Sequence, residues 1–521
     1  MIGIRKTLFI FLTPVIAGLL LVAIYNVMSQ MNELREQEEL VDTHIVENAP
    51  PMVAFTTVAL GSFRGLVADF LWLRSAQAKE EGNYFEMMQL ASWIVKLQPR
   101  FTDAAAYLAW NMAYNISVTF SDFEERWRWV QKGIQLLRDE ALVYNPGDPE
   151  LYWELGWIYQ HKIGAEMDDA NKFYKVQLAK QITNVLGTYP IDWEKWANTP
   201  SDAEQLQEEL GDDSRFWNVL NQHALTIKEL DNKFRQRNGF PEAIKSDLQD
   251  FDQLPLVERY LRKRWLEDVY KLDIQMMWEL NRKYGELDWR LPEAHAIYWA
   301  SKGLEKADEN LSIQCERMIY QGLTNAFHSG RAIYVESADA LQTTQNVELV
   351  DSVDDVYQET MEKHPDNSGI KSGYEYFLKN ATVALYLFGR DEKADDYYDK
   401  LREEFERRNY RRQLEEFVVT ELAGDLEGAS MDKAQAIVYG YLYRTYTALA
   451  FGDEERALRL ENMARNIWHK YMDSISGSEE RRGLPPYEQM KQNVYRSSLE
   501  EFHSELGERL KSAEKELNEN E

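Results

Sequence analysis

Three groups of side chains have types and spacings that could do chemistry. Asp351, Asp354, Asp355 and Glu359 gather hard oxygen ligands of the kind a divalent cation prefers, although a solvated acidic loop is the plainer reading. Arg259, Arg262, Lys263 and Arg264 form a basic cluster that could grip an anion or an acidic partner; pairing with the protein's own carboxylates is the competing reading. Trp127, Trp129, Trp193, Trp196 and Asp192 are where a sugar-cleaving cleft would be sought, since aromatics stack on sugars and hydrolysis needs two carboxylates ~5–5.5 Å or ~6.5–9.5 Å apart. Aromatics at helical spacing also serve as filler between helices. The eight histidines are scattered, with none paired at three or four residues, and Cys315 is the only cysteine. Disulfides within the chain and zinc sites built from paired cysteines are thereby excluded. No phosphate-binding glycine loop, His-Glu-x-x-His, nucleophile elbow or calcium loop is present. The expectation is no catalytic residue, no metal and no cofactor.

Composition narrows the partners. Lys and Arg total 59 against 88 Asp and Glu, for a net charge of −29. Such a surface repels phosphate backbones, so nucleic acid is not expected. Mean hydropathy is −0.54, yet residues 7–32 carry no charge, and Leu8 to Val27 matches a ~30 Å hydrocarbon core. Arg5 and Lys6 precede this run, whereas Glu33, Glu36, Glu38, Glu39 and Asp42 follow it. The positive-inside rule then puts the N-terminus in the cytoplasm and the rest of the chain outside, as a single-pass inner-membrane protein contacting lipid through residues 7–32. A cleaved signal peptide is the alternative, but Tyr25-Asn26-Val27-Met28 offers no small-residue cleavage site. Without Arg5 and Lys6 the exported part holds 57 basic against 88 acidic residues, a net −31.

The elements that would carry any site are helical throughout. The anchor over 1–31 leads to a stalk over 32–53, stopped by Pro50-Pro51, and then to helical hairpins over 54–188. Residues 189–255 fit no repeat and read as an irregular insertion. Over 256–338 a single long helix, Leu256 to Tyr284, is expected from the stripe Val257, Leu261, Trp265, Val269, Leu272, Met276 and Leu280, followed by a hairpin from Pro292. An acidic linker is expected over 339–372 and further hairpins over 373–475. The last stretch, 476–521, reads as a linker, one capping helix and a charged tail.

Within this pattern Tyr152-x-x-Leu155-Gly156-x-x-Tyr159, followed by Ala170 and Tyr174, resembles a tetratricopeptide (TPR) repeat. Gly389 to Ala394 and Gly452 to Ala457 share a Gly-x4-Ala signature 63 residues apart, and Tyr398 and Ala464 continue it. In the earlier helix Tyr107, Trp110 and Tyr114 repeat the large-residue spacing, with Asn111 where the repeat's glycine would stand. The chain is similar to membrane-anchored extracytoplasmic TPR proteins of bacteria. That resemblance implies an irregular α-solenoid in which Gly156 lets the two helices of a hairpin approach, and a function of holding protein partners. The net charge favours a basic or membrane-associated protein. Asn111, Asn115, Glu154, Gln160, Asn380 and Arg444, polar positions on the proposed first helices, are the candidate contacts. The alternative is a glycan-active or glycan-binding helical domain. An open stack would favour the first, and a closed one with facing acids the second.

Overall fold

The computed structural model describes residues 63–521 apart from 188–189, 213, 336–339, 406, 415, 419–420, 422–429, 476, 478–481, 502–503 and 521, with Val27 and Gln30 in the N-terminal part. The expected anchor over 7–32, those two positions aside, and the stalk therefore lie outside the described residues. Among the described residues no helix is long and apolar enough to cross a membrane. The described chain is all-helical apart from one two-stranded hairpin, and it divides after Phe101 into two compact units.

In the first unit α1 (Phe63–Glu80) packs on α2 (Tyr84–Leu97). Gly82, at φ +72°, makes the turn, and Asn83 caps α2 by accepting from the amide of Glu86. Met87, Leu90, Ala91, Ile94 and Val95 are buried, whereas Leu66, Phe70 and Leu73 on α1 are exposed.

The second unit begins with two similar helical pairs. Helix α3 (Thr102–Trp110) widens into a π-helical turn at Asn111–Ile116, and α4 (Phe123–Gln135) widens at Leu136–Ala141. Helix α5 (Pro149–Trp157) widens at Ile158–Ile163 and is followed by α6 (Asn171–Leu186). Thr102 to Pro149 and Asn111 to Ile158 are each 47 residues, so helix and π-turn recur in one register. That register corrects the alignment drawn from sequence: the counterpart of Gly156 is Ala109, not Asn111. Gly156 also faces elements other than its hairpin partner, because a Cβ there would meet Met318 Sδ at 2.6 Å and the Ala296 carbonyl at 3.3 Å.

Short helices α7 (Trp193–Ala197), α8 (Ala203–Leu210), α9 (Arg215–Gln222), α10 (Ile227–Arg237) and α11 (Glu242–Asp247) follow, then α12 (Leu254–Trp265). Leu206, Phe216, Leu230, Phe234, Ile244, Val257 and Leu261 give them a core of their own. The long helix expected over Leu256 to Tyr284 is broken. A π-turn at Leu266–Tyr270 ends in Lys271 at φ +56°, and Asp273 caps α13 (Ile274–Tyr284) by accepting from the amide of Met276 at 2.7 Å. The apolar spacing runs on across the break, so periodicity hid it; the cap and the Tyr298 hydroxyl, which accepts from the Asp273 amide at 2.8 Å, make it.

Helices α14 (Pro292–Leu304) and α15 (Glu309–Ser329) form a hairpin whose first helix packs along α5. Strands β1 (Arg331–Val335) and β2 (Ala340–Thr344) pair antiparallel, with Arg331 opposite Thr344. The stretch 339–372, expected as a linker, carries β2 and α16 (Val350–Lys363), whose Val350, Val353, Val356 and Tyr357 are buried beneath an acidic outer face. Helices α17 (Ser368–Leu387) and α18 (Asp391–Glu404) recur 63 residues later as α19 (Met431–Ala450) and α20 (Glu454–Ser474). Each first helix closes alike, Arg390 N bonding Leu385 O and Asp453 N bonding Ala448 O at 2.9 Å, with Gly389 and Gly452 at φ +71° and +79°. Instead of one capping helix there are two, α21 (Tyr487–Glu501) and α22 (Ser504–Asn520). Lys172 on α6 donates to the Gly483 carbonyl at 2.7 Å, so an early helix of this unit touches the connection between α20 and α21.

Candidate functional site

The repeated pairs place α3 and α5 side by side. Asp103 raises the pKa of Glu150 near their starts and Tyr114 packs on His161 near their ends, so the two helices run parallel. Residues one turn apart on each then align into a row of rings. Tyr107 and Trp110 lie 6.4 Å apart, Trp110 and Tyr114 stack at 5.8 Å, and Tyr114 meets His161 at 5.7 Å with its hydroxyl 3.2 Å from Nδ1. Trp157 stacks on His161 at 4.6 Å and Trp153 on Trp157 at 5.6 Å. Tyr107 and Trp110 are 49% and 39% exposed, and the other four rings are half-buried. Two of the π-turns supply Tyr114 and His161, and wide turns of this kind recur at functional sites.

Carboxylates border the row. Asp103, Glu150 and Glu154 carry no ion pair among the described residues. Burial, reinforced by Glu150, pushes Glu154 up to about 7, and burial with Asp103 and Asp148 raises Glu150. Lys162, which sits 5.4 Å from the Tyr114 ring, is buried and committed to Asp168 at 2.5 Å.

The sequence candidates divide. Glu154 lies at the row, and Asn115, half-buried, donates to Asn111 at 2.8 Å. Gln160 turns inward to the Met318 carbonyl at 3.2 Å. Three candidates are corrected, because the structure buries them. Asn111 donates to the Tyr107 carbonyl and Asn380 to the Tyr376 carbonyl, both at 2.9 Å, while Arg444 reaches Leu387 O at 2.8 Å and Asp391 at 2.7 Å, over the Tyr386 ring. Helix polarity alone could not tell an inward amide bonding its own backbone from one facing water. The repeat positions Tyr152, Leu155, Tyr159, Ala170, Tyr174, Ala394, Tyr398, Ala457 and Ala464 are buried and build the core.

Other clusters are internally satisfied. Lys263 donates to the Thr199 carbonyl at 2.8 Å, Arg262 pairs with Glu258 at 2.8 Å and Arg264 with Asp268 at 3.1 Å. Asp354 is buried, accepting from Tyr374 at 2.6 Å and pairing with Lys400; among the described residues no His, Cys, Asp and Glu group could hold a metal ion. Trp127, Trp129, Trp193 and Trp196 are buried, and Asp192 caps α7 and pairs with Lys195 at 2.8 Å. A cavity of about 660 Å³ is lined by Arg290, Arg331, Arg390, Glu286, Tyr439 and Glu500 among others. Arg290 is held by Asp288 at 2.6 Å and Arg390 by Glu348 at 3.2 Å. On α6 the half-buried Lys175 is held above its ordinary value because Asp432, Glu293 and Glu166 outweigh its desolvation. Burial pushes Glu293 up to about 7 against the pull of Lys175.

Sequence reasoning missed the ring row. Its signal was the i, i+4 series Trp153, Trp157, His161, which the repeat pattern at Tyr152, Leu155 and Tyr159 overshadowed. Compared with protein-family models and with curated proteins, the chain matches none. What defines its class is the fold itself, packed helical pairs of which two sets recur at fixed intervals.

Proposed function

We propose that this chain is a membrane-tethered, TPR-like scaffold that holds protein partners at the extracytoplasmic face of the membrane. The observation that carries the reading is the ring row across α3 and α5: parallel first helices of successive repeats expose a continuous surface of the kind solenoids use for binding. The charge of −31 beyond the apolar N-terminal run adds a field that speeds the approach of basic proteins. The test is to cross-link the full-length protein in its membrane, purify it in mild detergent and identify what accompanies it by mass spectrometry. A basic protein in constant stoichiometry, released as salt rises from ~50 to ~500 mM, is the expected result. Recovery of no stoichiometric protein would overturn the scaffold reading.

A glycan-active reading has two observations in its favour. The contact between Lys172 and Gly483 joins α6 to the connection before α21, and Glu166, Glu293 and Asp432 act together on Lys175. Release of reducing sugar from cell-wall or polysaccharide preparations, lost in Glu293→Gln, would support it; no release at any pH between 4 and 8 would sink it.

A further inference from the structure

We infer that the surface formed by Tyr107, Trp110, Tyr114, Trp153, Trp157 and Glu154 is a docking site for an arginine- or lysine-bearing segment of a partner protein. This deepens the scaffold reading and rests on it. Six rings run without a gap along two parallel helices, at centroid separations of 4.6 to 6.4 Å. Tyr107 and Trp110 are the members of the row that reach the surface most, and an aromatic face carries the negative end of the ring quadrupole. A guanidinium, planar and weakly hydrated, lies on such a face while its N–H groups reach a carboxylate.

The choice of a cation over a neutral ligand comes from the acids. Asp103 and Glu150 lie side by side on α3 and α5, Glu154 follows Glu150 one turn on, and none of the three has a basic partner among the described residues. Glu150 and Asp103 repel each other, as do Glu154 and Glu150. A sugar would leave that repulsion in place, whereas one or two cationic side chains would relieve it. The nearest lysine already shows the preferred geometry from behind: Lys162 Nζ lies 5.4 Å from the Tyr114 ring and 5.7 Å from that of Tyr174. It is paired with Asp168, which Arg126 also contacts at 2.9 Å, so it is committed away from the acids of the row.

The test uses the full-length protein in detergent and a fluorescein-labelled peptide of alternating arginine and glycine, read by anisotropy at physiological salt. Trp110→Ala, Trp157→Ala and Glu154→Gln should each weaken binding roughly five- to tenfold. Glu208→Gln removes a carboxylate on the exposed side of α8, away from the rings, and should leave affinity unchanged. Trp110 is partly exposed and Glu154→Gln preserves shape, so both variants are expected to keep the wild-type melting temperature. Equal weakening by Glu208→Gln and Glu154→Gln would mean that only the overall field attracts the peptide, and would overturn the proposal. So would tight binding of a neutral β-1,4-linked glucose hexamer that Trp157→Ala abolishes. If the peptide fails to bind while a stoichiometric partner still co-purifies, this site is wrong and the scaffold reading stands.

Discussion

Two buried helical glycines allow a graded prediction about close packing. A Cβ at Gly133 would sit 2.7 Å from the carbonyl oxygen of Ala109, a backbone atom of the helix α4 packs against, and 3.3 Å from Ala113 Cβ. At Gly156 the shortest contact is as close, 2.6 Å, but it is Met318 Sδ, near the end of a flexible side chain; the backbone obstacle, Ala296 O, stands at 3.3 Å. Glycine to alanine in a helix gains ~0.5–1 kcal/mol from the unfolded chain, and overpacking costs ~1–3 kcal/mol. Gly133→Ala should therefore lose ~1–2 kcal/mol net, because two backbones must separate. Gly156→Ala should fall within ~1 kcal/mol of wild type, because methionine swings aside. Gly156→Leu adds a volume that no rotamer of Met318 clears and should lose ~2–3 kcal/mol. Thermal unfolding followed by circular dichroism reads these as shifts of about one to two degrees per kcal/mol for a unit this large. If Gly156→Leu melts like wild type, or Gly156→Ala falls below Gly133→Ala, the packing argument fails.

Stability should depend on pH through α14. Glu293 has a folded pKa of about 7 against an ordinary 4.5, so the folded state binds its proton first and gains stability as pH falls from about 7 to 4.5. His295, held down to about 4 by burial, works in the opposite sense: it takes its proton in the unfolded chain first, and stability is lost as pH falls from about 6.5 to 4. Glu293→Gln should therefore steepen the acid loss of stability between pH 7 and 4.5 in urea titrations, and an unchanged slope would show that Glu293 is not protonated in the folded state. Arg444→Met removes the bonds to Leu387 O and Asp391 and should cost ~1–3 kcal/mol, with faster amide exchange at the start of α18; unchanged exchange would contradict this. Deleting residues 1–31 should yield a helical protein that stays in the supernatant after ultracentrifugation with vesicles, since the long apolar run lies there. Persistent vesicle binding would reveal a second membrane element.

Much of the helical order was readable because local signals and tertiary demand agree. Proline and glycine punctuation located α5, α14, α17 and α19, and Gly389 and Gly452 announced a recurrence that the structure shows helix for helix at 63 residues. The readings that went astray did so where one local pattern fits two structures. An apolar stripe continued through Leu266–Asp273 although the backbone reverses hand at Lys271. The acids of 339–372 suggested a linker, yet Val350, Val353 and Val356 were enough to dock α16.

Sequence alone determined the helical class, the acidic field, the apolar N-terminal run and the absence of cysteine pairing, because each is a property of composition or of neighbours within a few residues. Tertiary structure decided which polar groups meet water. Asn111, Asn380 and Arg444 share the helical periodicity of Glu154, but only the packing of α3 beside α5, and of α17 beside α19, turns three of them inward and leaves the fourth beside the rings. The ring row is likewise a product of register: residues 47 apart become neighbours only when two parallel helices align, and no window along the chain contains both.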